Sequence, residues 1–167
     1  MMFRSLVVVA IIWLTCGELL AQEQLTTFIL VRHGEKADDG SKDPDLSEEG
    51  RARAIHLAEM LSKTSIQAIY STSFKRTRNT VSPLARAKSL EVLSYEPLKA
   101  DPLDKMLKDH AGGTVVISGH SNTVPWTVNY LIGKDQLKTF AEDDYKNFLV
   151  VTVLKKGSVT NITWLTY

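Results

Sequence analysis

Four short runs of β-branched and apolar residues constrain this chain most: Thr26–Val31, Ile66–Tyr70, Glu91–Tyr95 and Thr114–Ser118. Stretches with helical spacing separate them. Strands that alternate with helices must run parallel, because each crossover returns the chain to the same end of the sheet, and the crossovers are right-handed. Runs without polar alternation, such as Phe28-Ile29-Leu30-Val31 and Val115-Val116-Ile117, are buried on both faces. Helices must then cover the sheet from above and below. The expected fold is α/β, a three-layer α/β/α domain with a mainly parallel sheet. Asn147–Leu154 and Val159–Leu165 flank the turn Lys155-Lys156-Gly157-Ser158, which predicts an antiparallel C-terminal hairpin at the sheet edge.

The segments between the strands carry their own signals. Ser47 is placed to cap a helix, with Glu48 and Glu49 in its first turn, where the helix dipole favours anions. Ala54, Leu57, Ala58 and Leu61 recur at helical spacing and predict its core face, while His56 falls off that stripe. A second helix begins near Lys75, and Pro83 is expected to kink or end it. Asp101-Pro102 reads as an N-cap and first helical position, with the helix running to about His110. A last helix covers Val124 to Ile132, closed by Gly133. The loop Ala37–Leu46 is rich in acids, but Pro44 occupies the glycine position of a calcium loop and Gly50 that of its closing glutamate, so calcium is rejected.

The amino-terminal 21 residues differ in kind from the rest. Arg4 precedes the apolar run Leu6–Leu14, which is short for a bilayer span, and Ala21 offers a small residue before polar Gln22. This pattern predicts a signal peptide, residues 1–21, cleaved after Ala21, and a domain over residues 22–167 that is periplasmic or secreted. No stable membrane insertion is then expected after cleavage. Cys16, the single cysteine, lies in the removed segment. The mature domain therefore has no disulfide, no thiol nucleophile and no thiolate metal site. A net charge of +1 gives no reason to expect nucleic acid as a partner.

The chemistry collects after the strands. Arg32-His33-Gly34 follows the first run, Arg76 comes shortly after the second, and Gly119-His120-Ser121-Asn122 follows the fourth. Parallel strands place these segments along one edge, where ligands of open α/β sheets bind. Two imidazoles and two guanidiniums without nearby thiols suit a tetrahedral dianion. Lys75, Arg76 and Arg78 sit at a helix start, where cations are disfavoured, which also points to an anion there. No His-x-His or His-Glu-x-x-His spacing is present, so a metal site is not expected.

In order along the chain, four motifs together resemble those of the histidine phosphatase superfamily, the phosphoglycerate mutase-like group. They are Val31-Arg32-His33-Gly34-Glu35, Leu46-Ser47-Glu48-Glu49-Gly50-Arg51, Tyr70-Ser71-Thr72-Ser73 through Arg76 to Thr80, and Gly119-His120-Ser121-Asn122. The likeness spans about residues 26 to 132. It implies that His33 is the phosphorylated nucleophile. It further implies that Arg32, Arg76 and His120, with Asn122, form the phosphate pocket. The family usually places an acid after the third strand; Asp101 is favoured by position, and Glu96 and Glu35 are alternatives. His33 should be kept neutral by the neighbouring guanidiniums, with one ring nitrogen donating to a backbone carbonyl. The implied activity is an exported, metal-independent phosphatase that hydrolyses phosphate monoesters without a cofactor. Two alternatives are a mutase-like phosphotransferase and an inactive module that binds phosphate or sugar phosphate. The expected partner is a small phosphorylated substrate; envelope sugar phosphates suit the location, and nucleotides and inositol phosphates remain open.

Overall fold

A computed structural model describes residues 24–167. The expected signal peptide, with Cys16, lies outside the described residues. The chain runs β1 (Thr26–Arg32), α1 (Glu48–Met60), β2 (Ala68–Ser71), α2 (Lys75–Lys88), β3 (Val92–Ser94), α3 (Ala100–Asp109), β4 (Thr114–Gly119), α4 (Thr123–Ile132), β5 (Asn147–Lys155) and β6 (Val159–Thr166). The sheet order is β3-β2-β4-β1-β5-β6. The first four strands pair in parallel, while β5 pairs antiparallel with both β1 and β6. This is the mainly parallel sheet with an antiparallel terminal hairpin that the pattern predicts.

Residue parity on the central strand builds the three layers, because successive side chains of a strand face opposite ways. Phe28 and Leu30 of β1 join one buried cluster, with Leu103 and Met106 of α3 and Val128 and Leu131 of α4. Ile29 and Val31 join the other, with Leu57 of α1 and Val81 and Leu84 of α2. The continuous apolar run of β1 thus reflects burial on both faces.

Local signals hold at several element ends. The Ser47 hydroxyl accepts from the Gly50 amide at 3.1 Å and caps α1. Ala54, Leu57 and Leu61 are buried and His56 is exposed. Gly133 closes α4 in the left-handed region, φ 67°.

Of the two outcomes expected at Pro83, an end to the helix is excluded, and one further expectation is corrected. Helix α2 continues five residues past Pro83 to Lys88, and ends at Ser89 in the left-handed conformation. Packing of Val81, Leu84 and Ala85 in the core outweighs the hydrogen bond that proline removes. Asp101 is not an N-cap: α3 starts at Ala100, with Lys99 as the cap residue and no side-chain capping bond. Asp101 stands instead in the first turn, where its charge still suits the helix dipole.

Strand direction then delivers two kinds of segment to one edge. Parallel pairing aligns Arg32 with Gly119 and Ser71 with Ser118, so the turns after β1, β2 and β4 emerge together. Antiparallel pairing aligns Val31 with Phe148. The residues just before β5 therefore arrive at the same edge as the residues just after β1.

Candidate active site

His33 follows β1 directly and is 4% exposed. Its Nδ1 lies 2.7 Å from the Gly34 carbonyl oxygen. A carbonyl can only accept, so a neutral ring carries its proton on Nδ1 and leaves the Nε2 lone pair free. Burial, the larger cause, together with the charges of His120, Arg76 and Arg32, lowers the His33 pKa to about 3 against the opposing Gly34 bond. The ring is uncharged at any ordinary pH. The guanidiniums do contribute as expected, but desolvation dominates.

Gly34 has a packing reason to be glycine. A Cβ there would lie 2.8 Å from the Gly50 carbonyl oxygen and 2.9 Å from its Cα. The turn after β1 is pressed against the first turn of α1, so this glycine serves backbone-to-backbone contact between two motifs. Its amide donates to the Thr80 hydroxyl at 2.8 Å, which ties the turn to α2 as well.

His120 stands across from His33, with ring centroids 5.3 Å apart. Its Nε2 is 2.9 Å from the Thr72 hydroxyl, and the Arg76 guanidinium is 3.5 Å from its Nδ1. A guanidinium only donates, so Nδ1 accepts and the proton sits on Nε2, directed at Thr72. Thr72 in turn meets Thr77, whose hydroxyl reaches the Phe74 carbonyl. Burial first, then Arg76 and Arg32, lower the His120 pKa to about 4.

Arg76 emerges from the first turn of α2 and lies over the Phe74 ring at 4.4 Å. Asp43 is 3.6 Å from its guanidinium and also accepts from the Lys75 amide at the helix start. The cationic start of α2 is thus met by an anion from the loop after β1, which supplies the cap that Phe74 cannot.

Arg32 has a different setting from the expected one. It is 2% exposed. One terminal nitrogen donates to the carbonyls of Ala141 at 2.6 Å and Asp144 at 3.0 Å, and the other to that of Glu142 at 2.9 Å. The Glu142 carboxylate is 3.5 Å away, and the Tyr145 ring stacks against the guanidinium at 4.2 Å. Only its Nε is buried without a partner among the described residues. Arg32 is therefore first an anchor for the segment before β5, with one donor left over.

Arg32, His33, Arg76, His120 and Asn122 line one cleft of about 550 Å³. Asn122 is the N-cap residue of α4, and its side chain makes no capping bond to that helix. Lys36 and Lys42 add positive charge to the wall. Asp101 and Glu96 are not brought to this cleft; they line a separate cavity of about 390 Å³ with Tyr70 and Lys105. Glu35 is held by Arg53, with contacts of 2.6 Å to one carboxylate oxygen and 3.0 Å to the other, and this pairing lowers its pKa. Glu142, which sequence reasoning passed over, is the single carboxylate among the lining residues. Its segment has no periodicity, and only the direction of β5 brings it here.

The pattern described as histidine phosphatase superfamily (branch 1) matches residues 28–99. That stretch runs from β1 to just before α3, and over it the chain resembles this family. Phosphoserine phosphatase 1 of Hydrogenobacter thermophilus is 43% identical over 78 residues, which are 43% of this chain and 37% of that protein. The match thus spans well under half of the relative. Among solved structures, mycobacterial glucosyl-3-phosphoglycerate phosphatase superposes with a TM-score of 0.65 at 16% identity, covering 86% of this chain and 99% of that one. A phosphoserine phosphatase of Entamoeba histolytica, in complex with 3-phosphoglyceric acid, gives 0.65 at 15% identity, covering 85% and 98%. At these identities the superpositions show a shared fold, the phosphoglycerate mutase-like arrangement of six strands and four helices.

Proposed function

We propose that this chain is an exported phosphatase that hydrolyses small phosphate monoesters through a phosphohistidine on His33. The observation that carries the reading is the His33 ring itself: neutral, oriented by the Gly34 carbonyl, with Nε2 available beside Arg76 and His120. The phosphatase names of the relative and of the structural neighbours support it. Export rests on the amino-terminal sequence pattern.

In the first step the Nε2 lone pair attacks phosphorus, the N–P bond forms and the ester P–O bond breaks. The alcohol leaves with a proton. In the second, water attacks phosphorus, the N–P bond breaks and its electron pair returns to Nε2. The protein's part is positioning and charge stabilisation in both transfers, which have little other chemistry to perform. Arg76 and the Nε of Arg32 can donate to the equatorial oxygens. His120 can take up a proton on Nδ1 when a dianion enters, since the dianion opposes the burial and the neighbouring cations that hold its pKa down. Four cationic side chains line the cleft against one carboxylate, which favours an anionic substrate.

His33→Ala is expected to abolish turnover of an aryl phosphate while leaving the circular dichroism spectrum unchanged. The parent, quenched during turnover, should yield an acid-labile, alkali-stable phosphoenzyme that this variant lacks. Substantial turnover by the variant would exclude His33 as nucleophile. A chelator is expected to leave the parent rate unchanged, and added alcohols should not accumulate as phosphorylated products, as a mutase would require.

A further inference from the structure

We propose that Glu142 is the proton donor to the leaving group, and so the acid that completes the site. The inference rests on the phosphohistidine reading above. Glu142 lines the cleft that holds His33, Arg76 and His120, and the other residues on that wall include no second carboxylate. Four other acids considered for this edge are placed elsewhere. Glu35 is clamped by Arg53, Asp43 caps α2 and faces Arg76, and Glu96 and Asp101 line the neighbouring cavity.

The position of Glu142 is built rather than incidental. Arg32 precedes the nucleophile in the chain, and its terminal nitrogens bind the backbone carbonyls of Ala141, Glu142 and Asp144. The Phe140 amide bonds to the Ser121 carbonyl at 3.0 Å, fastening the same segment to the turn that carries His120. Tyr145 closes it from the other end, with its ring 5.8 Å from that of His33 and stacked on Arg32. The backbone of the segment is thus tied to both catalytic turns. The Glu142 side chain, 83% exposed, is left to reach into the open cleft, with Arg32 3.5 Å from its carboxylate. It can touch the departing oxygen, which must lie opposite His33 in an in-line transfer.

The proton balance closes on this one group. The Glu142 carboxyl gives its proton to the leaving oxygen as the ester P–O bond breaks, and the alcohol departs neutral. The resulting carboxylate takes a proton from water as water attacks the phosphohistidine. When the N–P bond breaks, His33 is neutral again and the Glu142 carboxyl is restored.

Glu142→Gln keeps the backbone bonds to Arg32 and removes the acid together with its exposed charge contact to that guanidinium. With an alkyl phosphate such as glycerol 2-phosphate, kcat/KM is expected to fall by about 100-fold or more. With p-nitrophenyl phosphate, whose leaving group needs no proton, the fall in phosphoenzyme formation should be under about 10-fold. Breakdown of the phosphoenzyme should slow in the variant, because the same group serves as base. Equal losses on both esters, or a loss confined to the alkyl ester in Asp101→Asn and not in Glu142→Gln, would overturn the assignment. If the parent forms no phosphoenzyme, the reading of the site falls as well. If the parent forms it and the losses are equal, this proposal alone fails.

Discussion

Gly34 and His33 work as a unit, one supplying close approach and the other a neutral base. In Gly34→Ala the new methyl would press on the Gly50 backbone at 2.8 to 2.9 Å, and backbone cannot rotate away. We expect a loss of about 1 to 3 kcal/mol in unfolding free energy, together with a drop in turnover, since the shifted carbonyl is the one that orients His33. Full stability in this variant would show that the α1 contact can relax. His33 also links stability to pH. Its folded pKa of about 3 lies below the ordinary 6.5, so the unfolded chain binds more protons between those values. The stabilising contribution is fully present above pH 6.5 and is lost as pH falls toward 3, with a slope of up to about 1.4 kcal/mol per pH unit. Between pH 6.5 and 5, above the carboxylate range, His33→Asn should flatten the fall in denaturant midpoint. An unchanged slope would contradict the buried neutral ring.

At the scale of elements, the segment before β5 is held less by its own sequence than by Arg32. A buried guanidinium that satisfies three carbonyls and stacks on Tyr145 does what a lysine cannot, since a compact ammonium lacks the planar fork. Arg32→Lys is expected to cost about 2 to 4 kcal/mol, from carbonyls left unpaired and a charge poorly placed. The effect should also be local. Amide hydrogen exchange should rise over residues 141–145, while β1 and β4 keep their protection until global unfolding. Uniform loss of protection would show that Arg32 supports the whole sheet rather than this segment. The start of α2 follows the same logic in miniature. Its first turn is cationic and its own cap residue is Phe74, so the helix relies on Asp43 from a distant loop.

Across the whole molecule, one sheet edge collects all the chemistry because four parallel strands end there and one antiparallel strand begins there. The parallel part was legible in the sequence. Buried runs, capping residues and ordered motifs placed Arg32, His33, Arg76, His120 and Asn122 at strand ends, and the cleft does bring them together. Periodicity and caps are local properties, so they survive reading in one dimension. What Arg32 holds and which carboxylate lines the cleft were not legible. Asp101 stands where family order suggests an acid, yet α3 carries it to the adjoining cavity.

By itself the sequence determined the alternation of strands and helices, the faces they bury and the histidine at the end of β1, because each depends on residues within a few positions of one another. Only the tertiary structure decided which carboxylate faces the cleft, what Arg32 holds and why Gly34 must lack a side chain. Those outcomes depend on segments about 100 residues apart, or on two backbones meeting, and follow from strand direction and packing that no local pattern encodes.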